Sequence, residues 1–328
     1  MSGVATKRIA VIYHPGRIDP KKIRSILEAQ LAAKNQTDEW AETLWFETTP
    51  NEIGGPQTSR ALALGATHLL VAGGDGTIRA AAEALLLSPQ ALTATLGVIP
   101  VGTGNILARN LRLPLNDLAG TINRALGGEP YLIDAGRADI TFENGYRDLR
   151  YFVALAGVGL DAQIMMNTNR ELKRRIGWIA YIDGGVRLLP VKFERLRVKV
   201  DDNPVRTLKL YTLLIGNAGW LPGKISIMPD ARLDDGLLDI ASIGPRQIWN
   251  WIDFWSRVTW QNRVVRPLAF GRRWMEATSN LKTLENLSGS RMQVESEKPV
   301  DIQLDGDPLG KVTAVDFSVL PRALRVRL

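Results

Sequence analysis

The sequence has no cysteine and only two histidines, His14 and His68, among 328 residues. Without cysteine there is no disulfide framework, no thiolate nucleophile, no iron–sulfur cluster and no Cys-ligated zinc. Two histidines cannot build a three-histidine metal site, and neither stands in a recognisable setting for a Ser-His-Asp triad. Acid–base chemistry therefore falls to carboxylates, and any metal is a hard cation held by oxygens. Long apolar runs are lacking too. The longest uncharged stretch, 84–108, is broken by Pro89, Gly97, Pro100, Gly102 and Gly104, whereas a membrane-spanning helix needs ~20 mostly apolar residues. The N-terminus shows no signal-peptide h-region. The expectation is a cytoplasmic protein.

What is present is an ordinary globular composition, 45% apolar and 23% charged, which argues against disorder, a coiled coil or a membrane bundle. The length predicts two domains at ~100–200 residues each. Lys+Arg is 41 against 34 Asp+Glu, a formal charge of +7. Such an excess suits an anionic membrane surface or nucleic acid. The basic residues are scattered and no nucleic-acid recognition motif appears, so nucleic acid is not the expected partner.

Residues 8–13, 43–47, 67–72 and 96–101 are β-rich runs, and the last two are continuously apolar, as in parallel strands buried on both faces. Helical patterns occupy 20–34, 57–65, 78–87 and a short stretch ending near Asn110. This alternation predicts an α/β fold with an N-terminal doubly wound parallel-sheet domain over 1–130, to which the tail 318–328 can add. From 131 to 317 the pattern becomes short strands and turns (150–157, 195–201, 206–216, 237–242, 300–304, 311–320), predicting an antiparallel β-sandwich-like domain. Helical insertions are expected near 160–189 and 245–262.

The strongest local signal is doubled. A buried strand runs into a glycine-rich loop and then a helix at Gly73-Gly74-Asp75-Gly76-Thr77, and again at Gly102-Thr103-Gly104-Asn105. Glycine lets the backbone approach a polyphosphate, and main-chain N–H groups at a helix start meet its charge. Ligands of open α/β sheets bind at such strand C-termini. Asp75 would repel phosphate unless a Mg²⁺ lies between them. The plainer reading is a pair of tight β–α turns, with Thr77 and Thr103 as caps. No Lys follows the glycines, so neither loop is a Walker A motif, and a first-turn G-x-G-x-x-G is missing.

These residues resemble the diacylglycerol kinase and sphingosine kinase-like lipid kinases, in their soluble bacterial branch, over nearly the whole chain. The family's Gly-Gly-Asp-Gly-Thr stands at Gly73–Thr77 and its Gly-Thr-x-Asn at Gly102–Asn105. Its first-strand turn is similar to His14-Pro15-Gly16, with His in the place of Asn. Tyr151–Ala162 is similar to its central strand and turn, Met228–Asp239 to its Pro-x-Ala-x-x-x-Asp-Gly metal segment, and Asp305-Gly306-Asp307 to its late Asp-Gly-Glu. The resemblance implies transfer of the γ-phosphoryl group of ATP to a lipid hydroxyl. His14, Gly16, Thr48, Gly73, Gly74, Asp75, Gly76, Thr77, Gly102, Thr103 and Asn105 fall at ATP-binding positions. Arg232 and Leu237 (through carbonyls) and Asp235 fall where the family holds a structural Mg²⁺. Asp307 falls where a Glu accepts the hydroxyl proton, and Asp75 is the competing base.

Three positions depart from the family pattern. Ile106 stands where bacterial members often have Asp, Ala80 where an acidic residue is common, and Asp307 is one methylene, ~1.5 Å, shorter than Glu. Read without the resemblance, Asp305-Gly306 and Asp235-Gly236 are hairpin turns.

Five of the nine tryptophans lie between Trp249 and Trp274. On a helical wheel Trp251 and Trp255 share a face with Ile248, Ile252 and Val258, with Arg246 and Arg257 opposite. That pattern suits contact with an anionic membrane, or equally a helix packed on the second domain. The rival functions are an NAD kinase or phosphofructokinase relative, which shares Gly-Gly-Asp-Gly, and a non-catalytic nucleotide- and lipid-binding regulator. A homodimer is left open.

Overall fold

The computed structural model describes residues 7–33, 40–159, 193–222, 225–243 and 287–328. The expected helices at 160–189 and 245–262, and with them Trp251 and Trp255, lie outside the described residues.

The first part is built on four parallel strands. β1 (Ile9–Tyr13) lies between β2 (Leu44–Glu47) and β3 (His68–Gly73), and β3 pairs with β4 (Thr95–Pro100). Because alternate strand residues face opposite sides, the sheet has two apolar faces. Ala10, Ile12, Leu69, Val71, Leu96 and Val98 pack on one side, against Ala61 and Leu62 of α2 (Gly55–Ala63) and Ile78, Ala81 and Leu85 of α3 (Asp75–Leu86). Ile9, Val11, Leu70, Ala72 and Ile99 pack on the other, against α1 (Pro20–Ala33) and α5 (Leu118–Gly127) through Ile23, Leu27, Ile122 and Leu126. Each fully buried Ile or Leu contributes ~1.5–3 kcal/mol. This is the expected doubly wound layer. The helix α5, absent from the sequence reading, supplies the covering on the second face. A short helix, α4 (Ile106–Asn110), follows β4.

The remainder is antiparallel: β5 (Pro130–Phe142), β6 (Arg147–Phe152), β7 (Leu155–Gly159), β8 (Glu194–Val200), β9 (Arg206–Leu210), β10 (Thr212–Gly216), a small pair β11 (Trp220–Leu221) and β12 (Ile225–Ser226), β13 (Leu238–Ile243), β14 (Leu287–Gly289), β15 (Arg291–Leu304) and β16 (Asp307–Arg327). Its core includes Phe152, Ile215, Leu238, Ile302 and Phe317. β16 starts against β15 in this half, runs along β5, and ends with Val326 in parallel register with Leu96 of β4. The chain's last strand therefore joins the N-terminal sheet, and fourteen strands form one hydrogen-bonded network among the described residues.

Strands differ from expectation where side chains intervene. The run 150–157 is split at Val153 and Ala154, whose N–H groups leave the ladder for the Asp305 carboxylate. The runs 300–304 and 311–320 are pieces of the much longer β15 and β16, which bulge between Glu295 and Val300 and between Leu320 and Leu324. β5 was not anticipated. It contains Gly136, whose missing side chain leaves room for the Phe152 ring.

Candidate active site

All the loops singled out in the first domain lie at the C-terminal ends of the parallel strands. After β1, the His14 imidazole Nδ1 accepts the Gly16 N–H at 3.1 Å and closes its own turn, the role an Asn has in such turns. After β2, Thr48 is buried and donates its N–H to Tyr13. Gly54, with φ of 141°, lies against the Thr77 carbonyl, where a Cβ would come within 2.9 Å. Sequence reading missed this glycine, which seats the β2–α2 loop on the first glycine motif.

The two glycine loops touch through their backbones. A Cβ on Gly102 would lie 2.6 Å from the Gly74 Cα. Gly74 precedes α3 and offers no side-chain cap, and a helix start of this kind suits an anionic ligand. Asn105 adopts a left-handed conformation (φ 50°) and folds its amide back onto the loop. Its Oδ1 accepts the Gly102 N–H at 2.9 Å and its Nδ2 donates to the Gly102 carbonyl at 2.8 Å. Thr103 is exposed at the loop tip, and Thr77 is buried against Gly73 and Gly54.

Asp75 joins the loops. Its Oδ2 accepts the Asn105 N–H at 2.8 Å and its Oδ1 the Ile106 N–H at 2.6 Å. Burial pushes its carboxyl above the usual range, while these N–H bonds and Arg109 oppose the shift. Arg109 Nε also donates to the Gly104 carbonyl at 2.7 Å. Ile106 packs with Ala154, Leu155, Leu214 and Met228, so this position forms an apolar seam between the two halves.

The late Asp-Gly motif arrives from the other half. Asp305 and Gly306, both at positive φ (48° and 89°), form the two-residue turn between Leu304 and Asp307. The hairpin reading is right, and it is not the whole role. Asp305 is buried; its Oδ1 accepts the Ala154 and Leu155 N–H groups at 2.9 and 2.8 Å, and its Oδ2 that of Val153 at 2.8 Å. Burial lifts its pKa to about 6 in spite of these donors. The next carboxylate, Asp307, is one-third exposed and stands over the first glycine loop. A Cβ on Gly76 would lie 2.9 Å from its Oδ1. Its Oδ2 accepts from Arg79 Nε at 3.0 Å and Nη2 at 2.9 Å. Arg79 Nη1 in turn binds Glu83 at 2.9 Å. Arg79 and Glu83 escaped sequence reading because they look like ordinary helix residues.

The proposed metal segment lies between β12 and β13. It is not a hairpin turn, since β13 pairs with β10 and β14. The buried Asp134 of β5 holds it: Oδ2 accepts the Gly236 N–H at 2.7 Å, and Oδ1 the Arg322 N–H from the β16 bulge at 2.6 Å. Asp235 caps its own turn through the Leu237 N–H at 3.1 Å. Burial, then Asp235 and Asp230, raise the pKa of neighbouring Asp239 to about 6. No three carboxylate or His side chains converge as a metal site among the described residues. A cation at the positions that the resemblance points to would rest on the Asp235 carboxylate and the carbonyls of Arg232 and Leu237. That donor set of hard oxygens, beside acidic groups that repel one another, fits Mg²⁺.

Residues 10–138 match the family described as diacylglycerol kinase catalytic domain, and residues 154–264 match the YegS C-terminal NAD kinase beta sandwich-like domain. A diacylglycerol kinase of Staphylococcus aureus is 30% identical over 231 residues, 70% of this chain and 68% of that protein. The chain belongs to the diacylglycerol kinase family. It is a kinase with a lipid kinase-like function. A Pseudomonas aeruginosa protein named "Probable lipid kinase YegS-like" is 28% identical over 324 residues, 98% of this chain and 94% of its own. Among solved structures, a diacylglycerol kinase of Bacillus anthracis superposes with a TM-score of 0.71 at 19% identity, covering 98% of this chain and 96% of that one. An Archaeoglobus fulgidus NAD kinase gives 0.51 at 12%, covering 98% and 93%. The two structural likenesses establish the shared fold. No helix among the described residues is long and apolar enough to cross a membrane.

Proposed function

We propose that this kinase transfers the γ-phosphoryl group of ATP to the hydroxyl of a lipid presented at an anionic membrane surface. The observation that carries the reading is the placement of Asp307 Oδ1 beside Gly76. A carboxylate from the second half thereby stands at the glycine cradle of the first. Phosphoryl transfer needs positioning and charge stabilisation more than covalent catalysis. The main-chain groups of the first glycine loop, with those of Thr103 and Gly104 at the tip of the second, receive the phosphates; the Gly102 and Asn105 N–H groups are already held by Asn105 and Asp75. Asp75, with an oxygen on each of two main-chain N–H groups, keeps the loops in register. Asp307 takes the acceptor proton, since its Oδ1 has no partner among the described residues and stays within reach of solvent. Mg²⁺, when bound, neutralises charge that develops on the transferring group, and Asp235 with its neighbouring carbonyls suits a second, structural ion. Trp251 and Trp255 carry the membrane contact, a reading that rests on their helical spacing and the +7 charge.

The test is to offer γ-labelled ATP and Mg²⁺ together with a total lipid extract, NAD or a sugar phosphate in parallel reactions. Label in a lipid supports the reading. Label only in NAD or the sugar overturns the acceptor assignment.

A further inference from the structure

Arg79 lies on the second turn of α3, 228 residues from Asp307 in sequence. Its side chain is only 8% exposed, and Glu83 beside it 14%. Two of its guanidinium nitrogens, Nε and Nη2, donate to the same carboxylate oxygen, Asp307 Oδ2. The third, Nη1, donates to Glu83 Oε2, and Glu83 Oε1 accepts the Tyr151 N–H of β6 at 3.1 Å. The β6 main chain thus fixes Glu83, Glu83 fixes Arg79, and Arg79 fixes Asp307. Burial disfavours the guanidinium charge, but Asp307, Glu83 and Asp305 together outweigh it, so Arg79 stays charged.

We propose that Arg79 is a positioning residue for phosphoryl transfer: by holding Oδ2 it leaves Asp307 Oδ1, over Gly76, as the atom that receives the acceptor proton. The inference rests on the role given to Asp307 above. Asp307 directly follows a hairpin tip. Unclamped, its carboxylate would turn between rotamers and share the two oxygens indiscriminately. A planar guanidinium fork removes that freedom, which a lysine, with its single point charge, does not reproduce. In the step itself the acceptor O–H gives its proton to Oδ1. The oxygen's electron pair forms the new P–O bond, and the bond from γ-phosphorus to the bridging oxygen breaks to release ADP.

The test compares Arg79→Lys with wild type, alone and in an Asp307→Asn background. The clamp predicts a kcat about 100-fold lower for Arg79→Lys with KM for ATP within about twofold, because misplacing a reacting group by ~1 Å costs that much. In the Asp307→Asn background the same change costs nothing further, since both act through one atom. Losses that simply multiply overturn the inference. Glu83→Gln, expected to lower kcat about tenfold, serves should Arg79→Lys not fold. Asp307→Asn with undiminished turnover would remove the proposed base instead. Crystal structures of the variants decide the matter whatever the activity: Oδ1 leaves its place over Gly76 if the clamp is real, and an unmoved carboxylate refutes it.

Discussion

Asp75 and Ile106 stand 31 positions apart, and the Asp75 Oδ1 accepts the Ile106 N–H at 2.6 Å. One carboxylate, at the start of α3, therefore serves as the cap of the next short helix and locks two glycine loops together. Asp75→Asn presents an NH₂ group to one of two main-chain donors. It should lower stability by ~1–3 kcal/mol and weaken ATP binding, read by urea unfolding and by calorimetric titration with ATP. Unchanged ATP affinity would show that the loops keep their register without it.

The buried Asp305 makes stability depend on pH. Its pKa rises from 3.8 to about 6 on folding, chiefly through burial, so the folded state holds the proton more tightly than the unfolded one. The contribution is full below pH ~4 and is lost as pH rises to ~6, on the order of 3 kcal/mol at ~1.4 kcal/mol per pKa unit. Asp239 acts in the same direction and window. Urea unfolding from pH 4 to 7 should find Asp305→Asn, whatever its absolute cost, gaining on wild type across that range and running parallel above it. A constant difference would place the titration elsewhere.

How much of this was legible beforehand follows from contact distance along the chain. The loops at Gly73–Thr77 and Gly102–Asn105 each carry their signal within five residues, and β3 and β4 show continuous apolar runs, so the parallel layer could be read directly. Arg79, Asp305 and Asp134 could not. Their partners lie 228, 150–152 and 102–188 positions away, and nothing local marks an arginine in a helix or an aspartate in a turn as buried. The long β15 and β16 were read as fragments because their bulges interrupt the alternation that reveals a strand.

A divalent cation at Asp235 would relieve the repulsion among Asp230, Asp235 and Asp239. Mg²⁺ should raise the melting temperature at pH 7.5 more than at pH 5, where Asp239 is largely protonated. Asp235→Asn should remove most of that increment. An equal rise in wild type and variant, followed by differential scanning fluorimetry, would place the ion elsewhere.

Membrane contact is tested apart from catalysis. Trp251→Ala combined with Trp255→Ala should reduce co-sedimentation with anionic vesicles while the unfolding midpoint stays close to wild type. Sedimentation equal to wild type would remove the tryptophan pair from the membrane reading.

The account turns on a carboxylate of the second half acting at the glycine cradle of the first. The direct measurement is transfer of label from γ-labelled ATP into a total lipid extract with Mg²⁺, by wild type and by Asp307→Ala. The account predicts a labelled lipid from wild type and a loss of at least ~100-fold in the variant. Undiminished labelling by Asp307→Ala, or no labelled lipid from wild type, would contradict it.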